Sequence, residues 1–522
     1  RMSNKYKKTP LWKCLDGLYN KPVNDIKGFE KQRFNREENV MLKFKKLIAL
    51  TACAMLTTSV ALTGCGADKT ANAGEGETVK LTWYTIGQTP KDLDMVQEKA
   101  NEYLKEKINA TIDMKFIDYG DYTQKMGVII NSGEPYDLAF TCSWANPYLE
   151  NARKGAFLEI DELLETKGKE MKSVIDERFW EGAKIDGKTY AVPNQKEIGV
   201  APMWVFTKEY VDKYNIPYQD IHTLEDLEPW LKVIHENEPD VTPLYITKGF
   251  SAPAYFDQLV DPVGVEYGDE SLKIKNMFET DKMKGELETL QKYYDAGYIN
   301  ADSATAKDDK AVKRFVTKAD GQPYADGLWS KDLGYEVVSS PIMETHITNG
   351  STTGSMIAIS KTSEHPEKAM EFLNLLNTDV YLRNLLNYGI EGTHYEKTGD
   401  TQIKLTDKAK DYSVGYYTLG NLFITYTLDN EPADKWKEFE AFNDASVESP
   451  ALGFKFNTEK VSNQIAAINN VLEEFKATIY SGSVNEAEYL DKMNKKLKEV
   501  GIDEVISEMQ SQIDAWKAEN GK

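Results

Sequence analysis

The sequence predicts an α/β protein in which strands alternate with helices. From residue 79 onward, segments rich in β-branched and aromatic residues are followed by segments of helical periodicity. This alternation is typical of βα units that form a parallel sheet. The length of 522 residues, with 41% hydrophobic residues, allows two or three domains or one large two-lobed unit.

Three strand–helix pairs begin the main part of the chain. The sequence predicts strands at residues 79–87, 110–118 and 136–144. It predicts helices at residues 90–108, 119–134 and 146–164. Because ligands of open parallel sheets lie at the carboxyl ends of the strands, the residues just after each strand are candidates for a binding site. These candidates are Gln88, Tyr119, Asp121 and Trp144.

The second half of the chain repeats the alternation. The stretch 187–216 is predicted to form a strand, a bend at Pro193 and Asn194, and a long strand that leads into a helix. Further strands are predicted at residues 242–249, 322–329, 334–342 and 351–360. A helix with Pro366 in its first turn follows. Three long helical patterns complete the chain at residues 458–480, 485–501 and 502–519.

The charge distribution excludes several classes of partner. The net charge is −21, but residues 1–64 carry +8 and the remainder carries −29. A body this acidic argues against nucleic-acid or anionic-lipid binding and suits a neutral or cationic ligand. Only Cys142 lies beyond Cys65, and the five histidines are scattered, so we expect no disulfide framework, no metal site and no cofactor.

An apolar segment near the N-terminus has the organisation of a lipoprotein signal peptide. Three lysines follow Met41, and an apolar run of residues 47–61 comes next, too short to span a bilayer. The following Leu-Thr-Gly-Cys at residues 62–65 resembles the lipobox of bacterial lipoproteins, in which the cysteine thiol receives the lipid. We therefore expect a signal peptide at 41–64, a lipidated Cys65 and a tether to residue 78. The alternatives are an unlipidated secretory peptide and a buried core segment.

Residues 1–40 precede this signal peptide and do not fit it. A signal peptide is expected at the N-terminus, yet Met41 begins the basic region. The codons for residues 36–38 (Arg-Glu-Glu) can spell a purine-rich ribosome-binding site. We therefore expect Met41 to be the true start and residues 1–40 to be translated upstream sequence.

Three motifs follow one another in the main body, residues 79–522: "GKTYAVP" at 187–193, "YGIEGTHYE" at 388–396 and "ALGFKFN" at 451–457. With these motifs in this order, the main body resembles the bacterial extracellular solute-binding lipoproteins of carbohydrate ABC importers. The resemblance implies a two-lobed periplasmic-binding-protein fold of type II with a hinge crossed more than once. It implies one lobe from 79–198 plus 350–400, and a second from 199–345 plus 405–522 with the C-terminal helices.

The resemblance also implies positions of the ligand site. By analogy with maltodextrin-binding members of the family, Trp144 and Glu197 belong to the first lobe's part of the cleft, and Trp329 is a stacking residue of the second. Phe456 falls near another aromatic platform, and the region of Tyr245 and Tyr255 corresponds loosely to a polar and aromatic cluster. Residues 249–281 align poorly, so the subsites there stay open.

The chemistry of sugar binding fits these residue types. Sugars expose C–H bonds on their faces and hydroxyl groups around their edges, so a site needs flat aromatic rings and in-plane hydrogen-bonding groups. We expect Trp144 and Trp329 to clamp the two faces of a sugar. Carboxylates are strong hydrogen-bond acceptors, and amides both donate and accept. The polar candidates are Glu197, Asp257, Gln88, Asn194, Tyr119 and Asp121.

Each candidate also has a structural interpretation. The tryptophans at strand ends can pack at the rim of the core, Glu197 can form a salt bridge at the hinge, and Asp121 can cap the next helix. Glu391 can brace its turn instead of contacting ligand. We expect His394 to hydrogen-bond within a turn and Cys142 to be a buried small side chain.

Three functions remain open at this level. The resemblance implies a lipid-anchored protein on the outer face of the membrane that captures an oligosaccharide, works as a monomer and delivers its ligand to the permease subunits of an ABC importer. A lipoprotein glycoside hydrolase would need two carboxylates at a set separation, which abundant acidic residues do not exclude. A sugar-binding sensor or adhesin lipoprotein is the third alternative.

Overall fold

The computed structural model describes residues 77–199 and 201–521. The predicted upstream segment 1–40, the signal peptide 41–64, Cys65 and most of the tether lie outside the described residues. None of the helices in the described part of the chain combines the length and the apolar character that crossing a bilayer requires.

The strands are numbered in chain order. They are β1 (Val79–Ile86), β2 (Ala110–Ile117), β3 (Leu138–Thr141), β4 (Val192–Pro193), β5 (Ala201–Thr207), β6 (Thr242–Leu244), β7 (Phe256–Val260), β8 (Val263–Glu266), β9 (Lys275–Asn276), β10 (Arg314–Gly321), β11 (Val337–Pro341), β12 (His346–Ile347), β13 (Met356–Ile359), β14 (Tyr395–Lys397), β15 (Gln402–Leu405), β16 (Thr427–Leu428) and β17 (Val447–Glu448).

The α-helices are numbered in the same way. They are α1 (Leu93–Ile108), α2 (Tyr122–Ser132), α3 (Tyr148–Arg153), α4 (Asp161–Thr166), α5 (Lys169–Val174), α6 (Glu177–Ala183), α7 (Lys208–Tyr214), α8 (Glu228–Asn237), α9 (Asp281–Asp295), α10 (Ala325–Leu333), α11 (Asn349–Thr352), α12 (Pro366–Thr378), α13 (Val380–Tyr388), α14 (Lys435–Ala445), α15 (Ser462–Tyr480), α16 (Glu486–Glu499) and α17 (Ile502–Asn520).

The first lobe is built on a five-stranded sheet with the strand order β2-β1-β3-β13-β4. Strand β1 pairs in parallel with β2 and β3, as the sequence predicts. Strand β13 runs antiparallel to both β3 and β4, so the prediction of a wholly parallel sheet is wrong. The reason is that β13 enters this sheet only after the chain has returned from the second lobe. Trp83 lies fully buried in the core of this lobe, against Phe372.

One long predicted helix of the first lobe is broken. The pattern at residues 146–164 forms two short helices, α3 and α4, because Gly155 takes a positive φ of 75° between them. The helix predicted around Pro366 is present as α12, with the proline at its start.

The second lobe is built on a four-stranded sheet with the strand order β11-β5-β10-β6. Strands β11 and β10 both run antiparallel to β5, whereas β10 and β6 are parallel. The strand predicted at residues 322–329 is wrong: the strand is β10, which ends at Gly321, and α10 follows. The three predicted C-terminal helices are present as α15, α16 and α17, and their apolar faces complete the core of this lobe.

Within the described residues, the chain passes between the two cores at three places. These are the stretch before β5, the stretch that contains β12, and the stretch that contains β17. Strands β12 and β17 pair in parallel, which ties two of these crossings together. The predicted multi-crossing hinge is therefore present.

The boundary of the second lobe differs from the expectation that residues 405–522 belong to it. Tyr412 and Leu419 pack in the first core. The amide of Tyr426 donates to the side chain of Asn384 on α13, across 2.7 Å. Residues 405–445 therefore accompany the first lobe, because their apolar side chains face α12 and α13, and the second lobe resumes after β17.

Candidate functional site

Three aromatic residues form an exposed surface at the carboxyl edge of the first sheet. Trp144 follows β3 and is 54% exposed, and Tyr119 follows β2 and is 50% exposed. The hydroxyl of Tyr417 donates to the hydroxyl of Tyr119 across 3.1 Å, and its ring lies 6.3 Å from that of Trp144. We call Tyr119, Trp144 and Tyr417 the aromatic face. Flat, solvent-exposed rings of this kind suit the C–H faces of a sugar.

The indole of Trp144 is fixed by its surroundings. Its Nε1 donates to the carbonyl of Gly354 across 2.9 Å, and its ring packs 5.8 Å from that of Phe140. The preceding Ser143 donates its backbone amide to the carbonyl of Thr353. The polar atom of the indole is thus satisfied internally, which leaves the ring face free to contact a ligand.

A hydrogen bond from Asn194 fixes the backbone of Tyr417. The buried Asn194 amide donates to the carbonyl of Tyr417 and to Ser355 Oγ, both across 2.8 Å, and accepts from the amide of Gly420 across 2.9 Å. All its hydrogen-bonding groups are therefore engaged inside the protein. The structure places this predicted ligand contact under the aromatic face, where it positions Tyr417.

Glu197 lies between the first lobe and the hinge, and only one of its two carboxylate oxygens accepts a hydrogen bond from the described residues. Its Oε1 accepts from the Nζ of Lys196 across 2.9 Å. Its Oε2 is buried, and no donor among the described residues reaches it. Burial, followed by the charge of Glu197, raises the pKa of Tyr416 to about 12. A buried oxygen without a donor is costly, and a ligand hydroxyl would satisfy it.

Two further predicted residues lie at the same edge. Gln88 is exposed just after β1. Asp121 makes no capping bond to α2 and instead pairs with Lys125 across 3.0 Å, with both side chains largely exposed. The structural alternative of a helix cap is therefore not realised for Asp121.

Trp329 belongs to the second lobe and lies near the hinge end of its sheet. It sits on α10, half-buried, with its ring directly above Gly321. A Cβ at Gly321 would lie 2.8 Å from this ring and 2.7 Å from Met203 Sδ, so only glycine lets the ring lie here. Gly321 pairs with Ala201, the first residue of β5 after the hinge crossing.

The remaining predicted residues do not join the aromatic face. Asp257 is buried, accepts from Ser449 Oγ, and has its pKa raised by that burial. Phe456 is buried in the core of the second lobe. Glu391 pairs with Lys397 across 3.4 Å at its turn.

Tyr255 and Tyr245 occupy separate places in the second lobe. Tyr255 lines a cavity of about 430 Å³ with Tyr267, and Lys282 Nζ lies 4.4 Å from its ring centre. Tyr245 is buried, and the guanidinium of Arg314 lies 4.0 Å from its ring centre. These contacts are internal to the lobe and describe packing.

Two structural interpretations from the sequence are confirmed. Nδ1 of the buried His394 accepts the amide of Ile390 across 2.9 Å, as expected of a residue that stabilises a turn. Cys142 is fully buried, and that burial raises its pKa to about 11. Among the described residues, no group of His, Cys, Asp and Glu side chains converges to hold a metal ion.

Tyr416 and Tyr417 are not among the residues predicted from the sequence. They lie in a short helical turn, Tyr416–Thr418, far from any strand end in the sequence. The only sequence feature that could have identified them is a pair of aromatic residues between Gly415 and Gly420. The sequence pattern does not indicate that this pair lies close to Trp144.

A further cavity of about 850 Å³ opens on the first lobe beside α14. Its lining includes Trp180, Gln195, Phe423 and Asn443, and many charged side chains of α4 to α6. Since most of those charged groups belong to exposed helices, this cavity is a polar surface groove and lies apart from the aromatic face.

The chain matches known proteins over most of its length. The family model "bacterial extracellular solute-binding protein" matches residues 89–383, and a domain of unknown function, DUF3502, matches residues 450–518. A carbohydrate ABC transporter substrate-binding protein of Streptococcus pneumoniae is 33% identical over 492 residues, which cover 91% of this chain and 99% of that protein.

Solved structures agree with this match. The N-glycan transport solute-binding protein NgtS of Streptococcus pneumoniae is 34% identical and aligns with a TM-score of 0.79, covering 85% of this chain and 100% of that chain. The same protein in complex with Man5GlcNAc aligns with a TM-score of 0.66, covering 85% and 99%. The chain described here belongs to the family of bacterial extracellular solute-binding proteins.

Proposed function

We propose that this chain captures an oligosaccharide between its lobes and delivers it to an ABC importer. The observation that carries the proposal is the aromatic face together with the unpaired oxygen of Glu197. The rings provide stacking surfaces, and the carboxylate can accept a sugar hydroxyl, so the first lobe offers both kinds of contact that a sugar needs. The relatives are substrate-binding transport proteins, and the role is binding without catalysis.

We further propose the class of ligand. NgtS is described in complex with Man5GlcNAc, and this chain is 34% identical to it over 85% of its length. Oligosaccharides that contain mannose and N-acetylglucosamine are therefore the first ligands to test. An uncharged glycan also suits a body with a strong negative charge, because no like-charge repulsion opposes its approach.

Binding shifts the arrangement of the lobes in this proposal. The described conformation aligns with one structure of NgtS with a TM-score of 0.79 and with NgtS in complex with Man5GlcNAc with a TM-score of 0.66. A ligand that contacts both lobes favours the closed arrangement by its differential affinity for it. The permease subunits of the importer would recognise that closed form.

We assign ligand contacts to residues according to where their side chains lie in the two lobes. Trp144, Tyr119, Tyr417 and Glu197 contact it from the first lobe, and Trp329 contacts it from the second. Gln88 and Asp121 lie at the rim as outer contacts. Asn194, Asp257, Phe456 and Glu391 act as supports for the surrounding structure, and Tyr255 lies in a separate cavity of the second lobe.

The location in the cell is a proposal from the sequence. A lipid on Cys65 and a tether to residue 78 would hold a monomer at the outer face of the cytoplasmic membrane, next to the permease. The test is mass spectrometry of the protein from its native membrane. Acylated Cys65 at the N-terminus supports the anchor, and an intact chain before Cys65 contradicts it.

Isothermal titration calorimetry against a glycan panel tests the function. The panel contains mannose–N-acetylglucosamine oligosaccharides, maltodextrins, pectin fragments and peptides. We expect saturable binding of at least one oligosaccharide and none of the peptides. Binding of peptides alone would contradict the proposal.

A further inference from the structure

A cavity of about 540 Å³ lies beside the aromatic face and is lined by both lobes. One wall comes from the start of α10 in the second lobe. The other comes from residues 387–439, which accompany the first lobe. We call it the side pocket, and its aromatic and aliphatic lining includes Tyr324, Leu328, Tyr388, Tyr412, Tyr416 and Trp436.

The side pocket and the aromatic face meet at two consecutive residues. Tyr417 belongs to the aromatic face, whereas Tyr416 lines the side pocket. The two rings are perpendicular, at 88°, with centres 5.8 Å apart. The two surfaces are therefore adjacent but point in different directions.

Apolar side chains are exposed in the side pocket, which is unusual for a soluble surface. Leu328 is 57% exposed, Leu405 is 43% exposed and Tyr416 is 39% exposed. Three exposed apolar side chains that converge on one concavity lined by both lobes mark a surface that is covered by something else when the protein works.

Polar groups surround this apolar lining. Gln322 and Asn387 contribute amides, Lys331 contributes an ammonium group, and the Glu431–Lys435 pair, 2.7 Å apart, contributes two charges that neutralise each other. Amide and ammonium groups donate hydrogen bonds to the oxygens of sugar hydroxyls. An apolar centre with hydrogen-bond donors at its rim matches the faces and the edges of a carbohydrate.

The wall of the side pocket is rigid before any ligand arrives. The buried Arg383 donates to the carbonyl of Tyr416 across 3.0 Å, to that of Asn421 across 2.9 Å and to Asn387 Oδ1 across 2.8 Å. On the opposite wall, Tyr324 has a φ of +65°, which a tyrosine rarely adopts, at the start of α10. Surfaces fixed in this way lose little entropy on binding.

We propose that the side pocket binds one arm of a branched oligosaccharide whose core stacks on the aromatic face, so that the protein selects branched glycans over linear ones. This inference rests on the proposed function. An arm that leaves the core at the boundary between Tyr416 and Tyr417 turns from one surface onto the other. Because α10 forms one wall, the bound arm also connects the two lobes.

The experiment compares two glycans on one variant and its control. Calorimetry measures the binding of Man1GlcNAc, which has no branch, and of Man5GlcNAc, which is branched. Leu328→Ser removes an exposed apolar contact of the side pocket, and its exposure means that folding is retained. Val128→Ser is the control, because Val128 is 64% exposed on α2 and does not line the side pocket.

We expect Leu328→Ser to weaken Man5GlcNAc binding by about fivefold, as the loss of one apolar contact predicts, and to leave Man1GlcNAc binding unchanged. Val128→Ser changes neither. Equal losses for both glycans, or no loss for either, would overturn the inference. Failure of the proposed function is distinguishable, because the unmodified protein would then bind neither glycan.

Discussion

The hydroxyl of Tyr417 donates to the hydroxyl of Tyr119 across 3.1 Å, and this bond joins two loops that are almost 300 residues apart in sequence. Tyr119 follows a strand of the first sheet, whereas Tyr417 lies in the segment that returns to the first lobe between the two parts of the second. The aromatic face therefore forms only when both segments have folded. Burial, and after it the hydrogen bond with the Tyr119 hydroxyl, raises the pKa of Tyr417 above its ordinary value.

Removing this bond is expected to weaken glycan binding. Tyr417→Phe keeps the ring but releases the Tyr119 hydroxyl, so we expect affinity to fall about threefold to tenfold, the value of one hydrogen bond, as measured by calorimetry. The matched control is Tyr103→Phe, which removes a hydrogen bond from the tyrosine hydroxyl to Asp379, a contact outside the aromatic face, and is expected to leave affinity unchanged. Equal effects of both changes would contradict a role for Tyr417 in binding.

Loss of the Trp144 ring has a larger expected effect. Trp144→Ala removes a stacking contact worth about 0.5–1.5 kcal/mol beyond the apolar area that it buries, so we expect the dissociation constant to rise by about tenfold. The melting temperature should change little, because more than half of the side chain is exposed. Tyr381→Ala, which removes another exposed aromatic side chain on α13, serves as the control. Unchanged affinity after Trp144→Ala would exclude this residue from the site.

The unpaired oxygen of Glu197 yields a separate prediction. Glu197→Gln preserves shape but replaces a charged acceptor with a neutral one, and we expect affinity to fall about tenfold because charge-assisted hydrogen bonds are the stronger kind. Glu391→Gln is the control, since that carboxylate is largely exposed and pairs with Lys397. If Glu197→Gln binds normally but lowers the melting temperature, then Glu197 is a hinge residue that acts with Lys196.

The stability of the second lobe is expected to depend on pH through Glu286. Burial raises the pKa of this α9 residue from 4.5 to about 7, although Lys282 lies 3.1 Å away and opposes the shift. A folded pKa above the unfolded value contributes stability that is complete below about pH 4.5 and is lost as pH rises through 7. The loss amounts to at most about 3.5 kcal/mol at about 1.4 kcal/mol per pKa unit.

Urea denaturation at pH 5 and pH 8 measures this effect. We expect the free energy of unfolding of the unmodified protein to be lower at pH 8 than at pH 5. In Glu286→Gln this difference between pH 5 and pH 8 should be smaller. Glu288→Gln, on the exposed side of the same helix, is expected to keep the decline. An unmodified protein that is equally stable at both values would show that Glu286 does not ionise in this range.

The part of the site at the strand ends could be predicted from the sequence. Trp144 and Tyr119 come directly after strands with clear patterns, and the parallel pairing of β1 with β2 and β3 puts those ends at one edge. The local sequence pattern is enough to predict these positions, because a residue that follows a strand lies at the edge of the sheet where that strand ends.

The rest of the site depends on contacts between distant segments. Tyr416 and Tyr417 reach it only because Arg383 and Asn194 hold their backbone against the first lobe. Asn194 appeared as a ligand contact in sequence because an amide beside a bend has the right chemistry, yet its bonds are all internal. Burial of this kind is decided by tertiary packing, which a single sequence does not display.

The lobe boundary was missed for the same reason. Residues 405–445 have mixed polarity and short elements, and only the packing of Tyr412 and Leu419 into the first core assigns them. The strand predicted at residues 322–329 became α10, since β10 had already filled that place in the sheet up to Gly321.

A crystal structure with Man5GlcNAc bound tests the central claim most directly. The account predicts sugar density stacked on Trp144 and Tyr417, a ligand hydroxyl within hydrogen-bonding distance of Glu197 Oε2, and Trp329 brought toward the ligand from the second lobe. Density for the glycan at a surface away from the aromatic face, with Trp144 still exposed, would contradict it.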